Sequence, residues 1–195
     1  SAKEDWGTGS RSALAGGVTV VVDQPNPVPP ITTPESFRNR VKDAQEHSLC
    51  NFSINSAVTR DTPFPDMWEA GATASHAEEV SPGADDTLAS HDLLRSASGE
   101  LRAVEAVNRC NTRGCRLHFC HMSTGAAVDA APGTVEVTPH HLFLSRDRFE
   151  NTDTFAKMNP PLRSEKDRKD LLARWNKIQV IASDHAPHTK AEKNV

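Results

Sequence analysis

The stretch that most constrains the fold is Ile178-Gln179-Val180-Ile181-Ala182-Ser183-Asp184-His185-Ala186-Pro187-His188, apolar at its start and abruptly polar at its end. Such a run reads as a buried parallel strand that delivers polar groups at its C-terminal edge, where α/β barrels keep their chemistry. Period-two alternation puts Ile178, Val180, Ala182 and Asp184 on one face. A carboxylate that closes an apolar stripe must be paired, bound to a metal, or exposed at the strand end. Asp184 is therefore a candidate metal ligand and proton carrier, with a turn-capping aspartate as the plain alternative.

The rest of the chain supplies the helices and strands such an architecture needs. Residues 1–15 read as a helix with Thr8 or Ser10 as N-cap and Gly16-Gly17 as its stop. Residues 18–23 are a β-branched run expected to be covered on both faces, ending in Asp23-Gln24-Pro25-Asn26-Pro27. Thr33-Pro34-Glu35-Ser36 opens a second helix, on which Phe37, Val41 and Ala44 recur at helical spacing. A strand over 51–58 and a short helix over 65–70 follow. The order helix, strand, helix, strand, helix argues for a parallel α/β fold.

That rhythm breaks after residue 74, where a strand is due and Ser75-His76-Ala77-Glu78-Glu79 arrives with no apolar run before it. Residues 80–98 read as a loop longer than compact domains usually carry. Regularity returns with a helix over 99–113 and its stripe Leu101, Val104 and Val107. A strand over 115–121 carries Cys115, Leu117, Phe119 and finally His121 on one face. A helix over 125–131, a strand over 134–138 and a helix over 164–175, capped by Ser164 with Leu171-Leu172 inward, lead into the final strand.

Composition excludes more than it identifies. The 195 residues suffice for one domain but fall short of the ~250 usual for an eight-stranded barrel. A net charge of -4 and a pI near 6.1 give no reason to expect nucleic acid or an anionic membrane as partner. No apolar run approaches the ~20 residues of a membrane span and no signal-peptide pattern is visible, so a soluble cytoplasmic protein is expected. Cys50, Cys110, Cys115 and Cys120 form no C-x-x-C pair and are expected to be reduced and mostly buried.

His76, His121 and Asp184 thus fall at strand ends on one predicted sheet edge, and imidazole with carboxylate suits zinc and similar divalent ions. At these residues the chain resembles the dihydroorotase branch of the cyclic amidohydrolases. The matching strings are Gly16-Gly17-Val18-Thr19 running into Asp23-Gln24-Pro25-Asn26, His76-Ala77-Glu78, Cys120-His121-Met122-Ser123-Thr124 and Glu136-Val137-Thr138-Pro139-His140-His141-Leu142. They continue with Lys157-Met158-Asn159-Pro160-Pro161-Leu162-Arg163 and Ser183-Asp184-His185-Ala186-Pro187-His188. The resemblance implies a (β/α)8 TIM barrel that interconverts N-carbamoyl-L-aspartate and L-dihydroorotate. It also implies zinc, two ions per complete subunit, with His76, His121 and Asp184 as ligands and Asp184 as general acid/base. Asn26, Asn159 and His188 fall where family members hold the substrate, whereas His118, His140 and His141 are expected to be structural and hydrogen-bonded.

The sequence also departs from the family's pattern. It holds no His-x-His pair, and no strand lies between Ala74 and Ser75 to supply a bridging carboxylated Lys or an Asp. Residues 1–195 are accordingly expected to be one partial barrel domain of a longer protein, lacking the first and fourth strands, the C-terminal part and any flanking β-domain. Two other readings stay open: an allantoinase- or hydantoinase-type cyclic amidase, and an inactive subunit that scaffolds aspartate carbamoyltransferase. Expected partners are a small-molecule substrate and either further copies of the chain or that carbamoyltransferase.

Overall fold

The computed structural model describes residues 3–57, 64–72, 75–76 and 95–193. By its contacts the chain divides into two compact units, Ser1–Val80 and Ser81–Val195. Most of the polar stretch expected to be a long loop lies outside the described residues.

The first unit begins with α1 (Trp6–Ala15), opened by a capping box: Asp5 accepts from the Thr8 backbone N–H at 2.8 Å, and Thr8 Oγ1 accepts from the Asp5 N–H at 3.0 Å. The cap is Asp5, not Thr8 or Ser10, because Thr8 is already the third helical residue and Ser10 is buried inside the helix. Strand β1 (Val20–Asp23) follows, then α2 (Pro34–His47), capped reciprocally by Thr33 and Ser36 as its sequence predicts. Strands β2 (Asn51–Ile54) and β3 (Ser56–Ala57), helix α3 (Phe64–Glu69) and β4 (Ser75–His76) complete it. Both described pairs, β1 with β2 and β3 with β4, are parallel. Trp6, Ile31, Phe37, Ala44, Ile54 and Met67 form its core. Arg40 crosses from α2 to bind Asp23 at 2.6 Å and lies over the Trp6 ring at 4.8 Å.

The expectation that β1 is covered on both faces is not met: Val20 is 50% and Val22 52% exposed. Only the face of Val21 packs against the helices, and the opposite face of the β1–β2 pair stays open among the described residues.

The second unit repeats one plan. Helix α4 (Ala97–Cys110) precedes β5 (His118–Phe119), then come α5 (Gly125–Ala130), β6 (Thr134–Val137), α6 (Pro139–Phe143), α7 (Glu165–Leu172), β7 (Val180–Ile181) and α8 (Lys190–Lys193). The strands lie in the order β5-β6-β7, all parallel, with His118 opposite Thr134 and Glu136 opposite Val180. Ser96, Thr124, Thr138 and Ser164 cap α4, α5, α6 and α7, each accepting a backbone N–H from the first turn. Val104, Phe119, Val128, Val135, Val137 and Leu171 form the core between helices and sheet.

Three expectations are corrected here. Regular pairing in β7 covers only Val180 and Ile181, both exposed, so this strand is not the buried one its apolar run suggests. Leu172 turns outward while Leu171 is fully buried, because successive helical residues lie about 100° apart. The cysteines are free but none is fully buried: Cys110 and Cys115 are exposed, since Cys115 precedes the paired part of β5.

Candidate active site

Two candidate ligands, His121 and Asp184, share a backbone feature found in no other described non-glycine residue: both have positive φ, at 41° and 50°. A left-handed conformation costs a non-glycine residue about 1–2 kcal/mol. It persists only where surrounding contacts enforce it, as functional sites tend to.

His121 lies just past β5, and the segment that follows it is anchored residue by residue. The His121 N–H donates to Glu136 Oε1 at 3.2 Å and the Met122 N–H to the Glu136 carbonyl at 2.8 Å. Ser123 donates through its backbone N–H (2.7 Å) and its hydroxyl (3.0 Å) to Glu100, and the Thr124 hydroxyl donates to the same carboxylate at 2.7 Å. Arg163 Nε donates to Ser123 Oγ at 2.8 Å, and its guanidinium also reaches the Arg95 carbonyl at 2.6 Å. Glu100 and Arg163 are nearly buried, with side chains 9% and 8% exposed. One buried acid on α4 and one buried base on the 157–163 loop thus clamp the strand end that carries His121.

The loop of Asn159 is tied to the same region. His141 is buried on α6; its Nε2 lies 3.0 Å from the Pro160 carbonyl and its Nδ1 2.6 Å from Thr138 Oγ1. A carbonyl only accepts, so Nε2 carries the proton and Nδ1 accepts from the threonine hydroxyl. Burial, aided by the His140 charge, holds the His141 pKa down to about 3. Asn159 itself is exposed and joins Pro160 through a cis peptide.

Two further histidines divide sharply. His118 faces Thr134 Oγ1 at 2.8 Å and Glu136 Oε2 at 3.3 Å, so it is hydrogen-bonded as expected. His140 is not: its buried Nε2 has no hydrogen-bond partner among the described residues, which corrects the expectation of a satisfied structural histidine. Nor has the buried Nδ1 of His121. Burial lowers the His140 pKa, the Asp184 charge opposes that and the His121 charge adds to it, so His140 senses both candidate ligands. Burial, with the charges of Glu136 and Asp184, pushes the Cys120 thiol up to about 12. His118, Cys120 and Glu136 form the compact metal-capable trio among the described residues, their donor atoms within 4.8 Å of one another.

The remaining candidates are dispersed. Asp184 is exposed, two residues beyond Ala182, whose N–H still bonds the Val137 carbonyl at 3.1 Å. His188 lines an open cavity of about 150 Å³ with Lys157, Glu192 and Lys193. In the first unit, Asn26 is exposed beyond β1, and His76 ends β4 with its backbone in register with Ala57. The His76 side chain lies outside the described residues.

No protein-family model matches the chain. Among curated proteins, the dihydroorotase of Halobacterium salinarum is 36% identical over 239 residues, covering 98% of this chain and 56% of that protein. The dihydroorotase of Methanosarcina acetivorans is 34% identical, covering 99% and 54%. The chain is a homologue of the dihydroorotases. It spans about half the length of these relatives. Among solved structures, L-hydantoinase (dihydropyrimidinase) from Arthrobacter aurescens matches with a TM-score of 0.85 at 20% identity, over 96% of this chain and 55% of that one. Dihydroorotase from Saccharomyces cerevisiae in complex with 5-fluoroorotic acid matches with 0.70 at 17%, over 94% and 66%. These likenesses show the fold, an α/β architecture of the TIM-barrel type.

Against that background, the buried, unpartnered Nδ1 of His121 and the Asp184 carboxylate, each in a left-handed turn past a strand end, are donor types that suit a divalent cation of the zinc type. Sequence reasoning assigned no role to Glu100, Glu136, Arg163 or the open nitrogen of His140. Glu136 had a visible signal, a carboxylate between Val135 and Val137 in a β-branched strand. Glu100 had none, since an acid in the first turn of a helix looks like ordinary dipole pairing.

Proposed function

We propose that the protein of which this chain is part is a metal-dependent dihydroorotase that interconverts N-carbamoyl-L-aspartate and L-dihydroorotate. The observation that carries this reading is the 36% identity to a curated dihydroorotase over 98% of the chain. The reading includes zinc as the cation, two ions per complete subunit, and a cytoplasmic enzyme in which residues 1–195 belong to a barrel domain. No helix among the described residues is long and apolar enough to cross a membrane.

In this reading His76, His121 and Asp184 are the residues that would hold the cation. Such a cation supplies Lewis acidity and a nucleophile usable at neutral pH. Asp184 takes the proton of the attacking water and returns it to the ring nitrogen as the C–N bond breaks. Asn26, Asn159 and His188 hold the substrate; a histidine at that position donates to a carboxylate, and Lys157 beside it adds positive charge. His141, by holding the Pro160 carbonyl, fixes the loop that presents Asn159.

The test is turnover by the full-length protein, with metal content measured on the same sample, against dihydroorotate, hydantoin and allantoin. Dihydroorotate as the preferred substrate, with Asp184→Asn lowering kcat by about 10²–10⁴, is the expected result. Preference for hydantoin or allantoin would replace the reading with the broader cyclic amidase. A zinc-free protein that turns over none of them but binds aspartate carbamoyltransferase would replace it with the scaffold.

A further inference from the structure

Glu136 sits in β6 between Val135 and Val137, both buried against the helices, so its side chain leaves from the opposite face of the sheet. Its side chain is 14% exposed. All three of its oxygens are engaged with the neighbouring strand: Oε1 with the His121 N–H, the backbone carbonyl with the Met122 N–H, and Oε2 with His118. Had β5 continued in extended form, His121 would fall on the same face as buried Phe119. The left-handed turn at His121 breaks that alternation, and both hydrogen bonds that pin the turn end on one residue.

We infer that Glu136 is a positioning residue, which holds His121 in its left-handed turn and thereby aims the imidazole whose Nδ1 is left open. This rests on the reading of His121 as a metal ligand. His118, Cys120 and Glu136 are close enough to be mistaken for a cation site of their own. The donor atoms of two of the three are already committed: Glu136 to His121 and His118, and His118 to Thr134. The trio is therefore the support of the neighbouring ligand, in the way that hydrogen-bonded outer residues orient metal-binding histidines.

The experiment compares the full-length wild type with Glu136→Ala, Glu136→Gln and, as a control that cuts the chain at its far end, Thr134→Val. Three quantities are read: hydrogen exchange at the His121 amide in metal-free protein, the zinc Kd by chelator competition, and the absorption spectrum with Co²⁺. Glu136→Ala is expected to accelerate exchange and to weaken zinc binding about 10–100-fold. Glu136→Gln, which keeps a carbonyl oxygen for the His121 N–H, restores most of both, and Thr134→Val changes neither. If Glu136→Ala does not fold, Glu136→Met, which keeps bulk without the acceptor, takes its place. Unchanged exchange and zinc affinity without the acceptor would overturn the inference, as would a glutamine variant no better than alanine. A sulfur-to-cobalt charge-transfer band would also overturn it, by making Cys120 a ligand. A wild type that binds no zinc but whose His121 amide depends on Glu136 would remove the ligand reading and leave the positioning of the turn intact.

Discussion

Replacing Glu100 by alanine strips three donors of their acceptor at once: the Ser123 N–H, the Ser123 hydroxyl and the Thr124 hydroxyl. Ser123 is 1% and Thr124 5% exposed, so water cannot fully substitute for the lost oxygens. A hydrogen bond to a charged acceptor is worth about 1.5–3 kcal/mol, but bonds that share one acceptor do not add. Arg163 contributes less directly, since its contact to Glu100 is 4.0 Å and it keeps its bonds to Ser123 and the Arg95 carbonyl. Breaking a buried charge pair costs about 3–5 kcal/mol, and that range is the expected loss. With a urea m-value of about 2 kcal/mol/M, the midpoint falls by roughly 1.5–2.5 M. Equilibrium unfolding of the full-length protein, followed by circular dichroism, checks this. Glu100→Gln, which keeps an acceptor oxygen, is expected to lose clearly less. A midpoint for Glu100→Ala within 0.5 M of wild type, an arbitrary threshold of about 1 kcal/mol, would show that the clamp on 121–124 is held by something other than this carboxylate.

Other consequences follow from single residues. His141 has its folded pKa depressed to about 3 against an ordinary 6.5, so its contribution to stability is full above about pH 6.5 and is lost as pH falls from there toward 3. Between those values wild type should lose about 1.4 kcal/mol per pH unit more than His141→Gln, measured by unfolding titrations at pH 7, 6 and 5; parallel curves would contradict the buried neutral imidazole. A Cβ at Gly133 would run into the Leu117 backbone carbonyl, which cannot swing aside, so Gly133→Ala should cost about 1–3 kcal/mol in a thermal melt. Alkylation at pH 8, mapped by mass spectrometry, should label exposed Cys110 and Cys115 first and spare Cys120, whose thiol burial keeps protonated.

Much of the architecture was legible because local chemistry and final fold agree. Thr33-Pro34-Glu35-Ser36 forms the helix start it spells, and Ser164 caps the helix it precedes. Helix α6 is not expected from the sequence although Thr138-Pro139 repeats the signal of Thr33-Pro34, because five residues are too few to show a helical stripe. Burial was the weakest inference. Val20, Val22, Val180 and Ile181 are apolar and exposed, since β-branching favours a strand whatever lies over it, and cover depends on elements distant in the chain.

The sequence by itself determined the parallel α/β order, the helix caps Thr33 and Ser164 and the candidates His121 and Asp184, since each follows from residues a few positions apart. Only the tertiary structure decided that both candidates sit in left-handed turns, that His121 Nδ1 and His140 Nε2 lack partners, and that Glu100, Arg163, Glu136 and His141 lock the motif strings together. These are hydrogen bonds across 15 to 40 residues of chain, and no local pattern encodes which distant donor an acceptor will meet.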